Sequence, residues 1–218
     1  MICRIWRGQV PMEKAEEYRR YQSEVGPPGY RKIPGNKVAH MLGRDLGERY
    51  EIAMLTLWES WEAVRAFAGE PVDAAYYYER DFDFLIDPTE KVEHFEVRET
   101  AHMGHETEGS IVRLWRSRVH PERRAEARRF EVELGVPFYR RVAGNQGVYV
   151  LERTPAAHEE TGMLTFWESL EAVREFAGDP PERASYDYYR ARGFDYLIDP
   201  PDEAEHYVLL AAEHGPRA

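Results

Sequence analysis

The stretch MLTLWESWEAVRAFAG, Met54–Gly69, returns 109 positions later as MLTFWESLEAVREFAG, Met163–Gly178. In each copy an alternating apolar run ends at a tryptophan, as a half-buried strand does. Ser60 or Ser169 follows where a helix N-cap accepts a backbone N–H, and Gly69 or Gly178 stands where the helix ends. Between them Val64, Phe67 and Ala68 form one apolar face. The same offset aligns IxRxWR at Ile2–Arg7 with Ile111–Arg116, and PGYRKIPGN at Pro28–Asn36 with PFYRRVAGN at Pro137–Asn145. Further on the offset becomes 112, matching FDFLIDP at Phe82–Pro88 to FDYLIDP at Phe194–Pro200 and His94 to His206. A tandem duplication is therefore expected, with copies at 1–99 and 110–212 and a polar linker at 100–109. The 218 residues suffice for two such units, each with its own core.

Within a copy the signals run in a constant order. MICRIWRGQV reads as a strand, and MEKAEEYRRYQSEVG as an amphipathic helix closed by Gly26. NKVAHMLGRD and RYEIAMLTLW alternate as paired strands. A second helix follows Ser60, another helical piece from Pro71 carries the tyrosines, and KVEHFEV closes the copy as a last strand. The order βαββαβ is ferredoxin-like. Such a unit has helices on one sheet face only, and two units packed sheet to sheet, as an intramolecular dimeric α/β barrel, would cover each other's bare face. The expected class is α+β, and the chain a monomeric pseudo-dimer.

Composition narrows the partners. A formal charge of −11 opposes binding to a polyanion, so no nucleic acid is expected. No apolar run reaches the length of a membrane span and no secretory leader is evident, which predicts a cytoplasmic protein without a membrane partner. The single cysteine, Cys3, excludes an intrachain disulfide and a thiolate-rich metal site. No phosphate-cradling glycine loop, HExxH motif or nucleophile elbow is present.

The motif LTLWES or LTFWES, then EAVRxFAG, a tyrosine-rich segment and a closing VEHFEV or AEHYVL, resembles the antibiotic biosynthesis monooxygenase (ABM-like) family of the dimeric α/β-barrel superfamily. The resemblance covers both copies. It implies the ferredoxin-like fold and, for activity, either oxygenation of a small phenolic or aromatic molecule without cofactor, or heme degradation. In the quinone-forming branch the strand-end tryptophan falls on Trp58 and Trp167, the asparagine before it on Met54 and Met163, and the helix tyrosine on Val64 and Val173. In the heme-degrading branch the helix tryptophan falls on Phe67 and Phe176, and the iron ligand on Tyr77 and Tyr186.

The residues themselves supply further candidates, each with a structural alternative. His94 and His206 recur on the last strand of each copy, where an imidazole acts either as a proton shuttle near neutral pH or as a hydrogen-bonded core residue. Arg4 and Arg113 share a strand face with Trp6 and Trp115, since residues two apart point the same way. Such an arginine stabilises a bound anion or pairs with Glu59 or Glu168. Trp58 and Trp167 hold an aromatic ligand or cap the core, and Tyr77 and Tyr186 line a pocket mouth or simply pack. The expected function is cofactor-independent monooxygenation of a small aromatic substrate, with His94, His206, Arg4 and Arg113 catalytic and the tryptophans and tyrosines as substrate-binding walls. The alternative is a non-catalytic small-molecule or heme-binding protein of the same fold. No metal site is expected.

Overall fold

The computed structural model describes residues 1–102, 106–153, 159–184 and 195–214. Contacts divide the chain into two compact units. Unit 1 comprises Met1–Phe95 and the segment that begins at Val208, and unit 2 comprises Glu96–Tyr207.

In unit 1 the elements are β1 (Ile2–Pro11), α1 (Ala15–Arg31), β2 (Asn36–Asp45), β3 (Arg49–Trp58) and α2 (Trp61–Ala68), followed by the start of β4 (Glu93–His102). β3 lies antiparallel between β1 and β2, with Trp58 opposite Ile2 on one side and Asn36 on the other. The start of β4 borders β1, giving the order β4-β1-β3-β2 that a ferredoxin-like unit requires. Ile2, Trp6, Val10, Ile52, Met54 and Trp58 form the helix-side face of the sheet and bury against Tyr18 and Tyr30 of α1 and Ala63 and Val64 of α2.

Unit 2 repeats the order with β5 (Ile111–Val119), a helical segment made of α3 (Arg124–Phe130), a π-helical turn (Glu131–Gly135) and α4 (Val136–Tyr139), then β6 (Asn145–Arg153), β7 (Glu159–Trp167) and α5 (Leu170–Ala177). Short β8 (Leu197–Ile198) pairs with β5, and β9 (Glu205–His214) starts beside β5. Trp167 stands opposite Ile111 and Asn145, the same register as Trp58.

Both closing strands change units along their length. β4 leaves unit 1 after Phe95 and pairs from Glu96 to His102 with β6. β9 leaves unit 2 after Tyr207 and pairs from Val208 to His214 with β2. The structural units are thus not the segments 1–99 and 110–212, and β4 runs three residues into the stretch read as linker.

Local chemistry explains the shared turn. Asn36 and Asn145 sit at a β-bulge, and each side-chain amide donates to carbonyls on both strands, Val38 and Leu57 in unit 1 and Gly147 and Phe166 in unit 2. Gly144 before it has φ +74, and a Cβ there would lie 2.4 Å from Ala172 Cβ at the start of α5. Gly144→Ala combines a left-handed backbone with that clash, so we expect a loss of about 2 kcal/mol in urea unfolding. An unchanged midpoint would show that α5 moves aside without cost. Ser60 and Ser169 accept from the Ala63 and Ala172 amides at 3.3 and 3.1 Å, as N-caps do.

Two expectations about helices are corrected. α1 does not stop at Gly26 but continues through Pro27 and Pro28 to Arg31. Gly26 serves close approach instead, since a Cβ there would come within 2.7 Å of Met54 Cε. No helix starts at Pro71; Tyr76, Tyr77 and Tyr78 lie on irregular backbone before a 3-10 turn at Glu79–Asp83. That path lets the three rings meet different partners: Phe67, Trp6 and the Val25 carbonyl.

Candidate functional site

The alternation of β1 places Arg4 and Trp6 on the helix side of unit 1, as their spacing predicted. Arg4 is buried, donates from Nη2 to the Ala74 carbonyl at 2.8 Å, and lies 5.3 Å from the Phe67 ring centroid. The expected pairing with Glu59 does not occur, because Glu59 sits on the exposed side with Lys37 at 3.2 Å. Burial draws the Arg4 pKa downward, with Tyr30 opposing. Arg113 has the equivalent geometry in unit 2, donating to the Arg183 carbonyl at 2.6 Å beneath Phe176.

His94 packs against Trp61 at 5.3 Å, and its Nε2 is buried without a hydrogen-bond partner. Burial and then the nearby Arg4 charge lower its pKa to about 4, against a smaller opposing effect of Asp73. That shift favours the uncharged imidazole and weighs toward the core reading of His94 over a proton shuttle near neutral pH. His206 of unit 2 faces a different neighbour, Glu182, at 3.9 Å.

Trp58 and Trp167 are completely buried, and each indole N–H donates to the threonine two residues earlier, Thr56 or Thr165, at 2.9 Å. Phe67 and Tyr30 surround the first, Phe176 and Tyr139 the second. Both stand in the core with their polar atom satisfied, leaving no donor for a ligand. Trp115 is buried in the corresponding core of unit 2 with Tyr139, Met163 and Trp167. Tyr77 meets Trp6 edge to face at 6.0 Å and donates its hydroxyl to the Thr89 carbonyl. Tyr186 lies outside the described residues.

Trp6 lines an indentation of unit 1 between α1 and the sheet, together with Gln22, Tyr30, Met54, Tyr76, Tyr78 and Asp81. The indentation is shallow: about 240 Å³ when the open solvent at its mouth is counted, with enclosed room for roughly one water molecule. Asp81 was not visible as a site residue in the sequence. Its Oδ1 accepts from Gln22 Nε2 at 2.6 Å and Tyr18 Oη at 3.0 Å, and its Oδ2 from the Tyr78 amide at 2.7 Å. Burial raises its pKa, and these three donors oppose the rise.

In unit 2 the position of Gln22 is taken by Glu131, the first residue of the π-helical turn. Glu131 is buried, accepts from the Thr161 hydroxyl at 2.6 Å on Oε2, and has no partner for Oε1. Burial pushes its pKa up to about 8. Glu131 shares the helix side of unit 2 with a second buried carboxyl group, Glu152, to which Arg128 donates.

The chain shares its fold with monooxygenase-like proteins. A candidate monooxygenase from Fusobacterium nucleatum superposes with a TM-score of 0.68 at 10% identity, covering 98% of this chain and 94% of that one. An anthrone oxidase-like protein gives 0.61 at 14% identity, covering 99% and 94%. A candidate monooxygenase from Lactobacillus acidophilus gives 0.60 at 12% identity, covering 98% and 95%. No family model and no curated protein matches the chain. At these identities the likeness is one of fold, and function rests on the site.

The unit 1 residues do not fit heme through Tyr77, whose hydroxyl is tied to Thr89 and whose pKa is raised by burial rather than lowered toward tyrosinate. Among the described residues no helix is long and apolar enough to cross a membrane.

Proposed function

We propose that the protein is an ABM-like monooxygenase, produced by tandem duplication, that oxidises a small aromatic or phenolic substrate without metal or flavin. The observation that carries this reading is the make-up of the unit 1 indentation. Trp6, Tyr30, Tyr76 and Tyr78 wall it with rings, and Asp81 is the one ionisable carboxyl group that lines it. An aromatic wall with few convergent polar groups is what a flat, weakly polar ligand requires. Tyr76 is half exposed and Tyr78 half buried, so the substrate enters by displacing these two rings from the mouth.

The chemistry balances without an external reductant. A base removes a proton from the substrate, the anion passes one electron to dioxygen, and the radical pair combines into a peroxide. Loss of water then converts a CH₂ group to C=O, so that one substrate and O₂ yield one ketone or quinone and H₂O. Arg4, a buried cation held by a carbonyl and an aromatic face rather than by a carboxylate, supplies a positive potential that favours the substrate anion. The rings hold the substrate plane and keep bulk water from the peroxide. His94, neutral and adjacent to Arg4, serves as a hydrogen-bonding group rather than an acid or base.

Oxygen uptake measured after chelator treatment tests the reading, with a hydroxyanthrone and a naphthol as probes. Uptake that saturates with the probe and yields the carbonyl product is expected. Uptake no faster than in buffer, for both probes, would discard the assignment.

A further inference from the structure

We infer that Asp81 is the proton-accepting residue of the unit 1 indentation, held for that role by Gln22 and Tyr18, and that the ligand it selects carries an acidic O–H or C–H group on an aromatic frame. This inference rests on the oxygenase reading above and supplies the base that reading needs.

Geometry carries the argument. A carboxylate offers about four acceptor positions, and the Gln22 amide, the Tyr18 hydroxyl and the Tyr78 backbone amide occupy three. One position remains for a substrate proton, on a group that lines the indentation. The charged neighbours in sequence do not neutralise it. Arg80 turns instead to Glu17 at 3.6 Å and Asp83 at 3.9 Å. All three donors are neutral, so the carboxylate stays more basic than one paired with an arginine. Gln22 also donates to Tyr18 Oη at 3.0 Å, which fixes the Tyr18 hydroxyl as a donor toward Asp81. These hydrogen bonds position the carboxylate without help from a ligand.

Unit 2 does not reproduce it. The positions of Tyr18 and Gln22 are Ala127 and Glu131, and Asp81 falls where the repeat offset changes from 109 to 112. The two units have therefore diverged at the base itself while keeping His94 and His206, Arg4 and Arg113, and Trp58 and Trp167. The carboxylate therefore distinguishes unit 1 from unit 2, whereas the buried arginine is common to both.

Two measurements separate this inference from the reading on which it rests. The first compares binding of 4-nitrophenol with that of 4-nitroanisole, which lacks the O–H. Wild-type protein should prefer the phenol by more than tenfold, and Asp81→Asn should lose that preference with the anisole affinity unchanged. The second is the pH–rate profile of oxygen uptake. Asp81→Asn should lower kcat by about 100-fold or more with KM little altered. Tyr18→Phe, which keeps the carboxylate and removes one donor, should retain turnover and move the acid limb of the profile to higher pH. A purely structural Tyr18 would change stability and leave that limb in place.

Phenol selectivity that depends on Asp81, without any oxygen uptake, would uphold the proton-accepting role and remove the oxygenase reading. Oxygen uptake with Asp81→Asn within threefold of wild type, or Tyr18→Phe with an unmoved acid limb, would overturn the inference and leave the oxygenase reading standing. Absence of phenol selectivity in the wild-type protein would overturn it as well.

Discussion

Glu131→Gln should match wild-type stability near pH 4.5 and exceed it by several kcal/mol at pH 9. The Glu131 carboxyl is buried beneath the π-helical turn, and burial raises its pKa from 4.5 to about 8. The Thr161 hydroxyl and Arg128 pull it down, and the Glu152 carboxylate pushes it further up. In the unfolded chain the group releases its proton near 4.5, whereas the folded protein holds it until about 8. The folded pKa is the higher one, so the stability associated with this proton is fully present below about 4.5 and is lost as pH rises toward 8. At about 1.4 kcal/mol for each pH unit the loss approaches about 5 kcal/mol, an upper bound because local opening would relieve part of it. Glutamine is nearly isosteric and does not titrate, so the variant lacks this loss. Urea unfolding of both proteins at pH 5, 7 and 9 would show the two stabilities diverging. Parallel curves would mean that Glu131 is ionised in the fold at neutral pH.

Trp58→Ala is expected to destabilise the protein by about 4 kcal/mol, the cost of a large cavity in a closed core. Trp58 is completely buried between Phe67 at 5.1 Å and Tyr30 at 6.3 Å. Removing it also leaves the Thr56 hydroxyl without the indole donor. Trp58→Phe, which keeps most of the volume, should lose roughly 1–2 kcal/mol and keep any affinity for an aromatic ligand. Weaker ligand binding by the Phe variant at undiminished stability would return Trp58 to the substrate wall. Guanidinium unfolding and nitrophenol titration of the same two variants decide between the roles.

The residues that were legible in the sequence are those whose signal is local. Strands β2 and β3 run over the stretches whose alternation marked them, and Ser60 and Ser169 cap helices where their spacing said they would. Arg4 and Trp6 share a face because β-strand side chains alternate, whatever the rest of the chain does. The length of α1 was misread because Gly-Pro-Pro resembles a stop signal, whereas Gly26 answers a packing need, the approach of Met54, that only the folded molecule reveals. The exchange of β4 and β9 was not readable, since an alternating strand fits either of two sheet edges equally well. Asp81 escaped notice for a third reason. It sits in ERDFD, which reads as a solvated charge run, and its burial depends on Gln22, 59 residues away.

The course of the closing strands also bears on the order in which the protein acquires its structure. Unit 2 is a continuous piece of chain, Glu96–Tyr207, and all its strands exist before synthesis reaches Val208. Unit 1 is discontinuous: β2 pairs with β9 through contacts such as Val38 with His214, across the whole of unit 2 in the sequence. Such closure is slow, because a long loop must be ordered before the pairing returns any stabilisation. During translation the amino-terminal half therefore waits with one edge of β2 open, in the interval when an unpaired strand is most able to join a neighbouring chain. The sheet of unit 1 is completed by a strand that follows all of unit 2 in the chain.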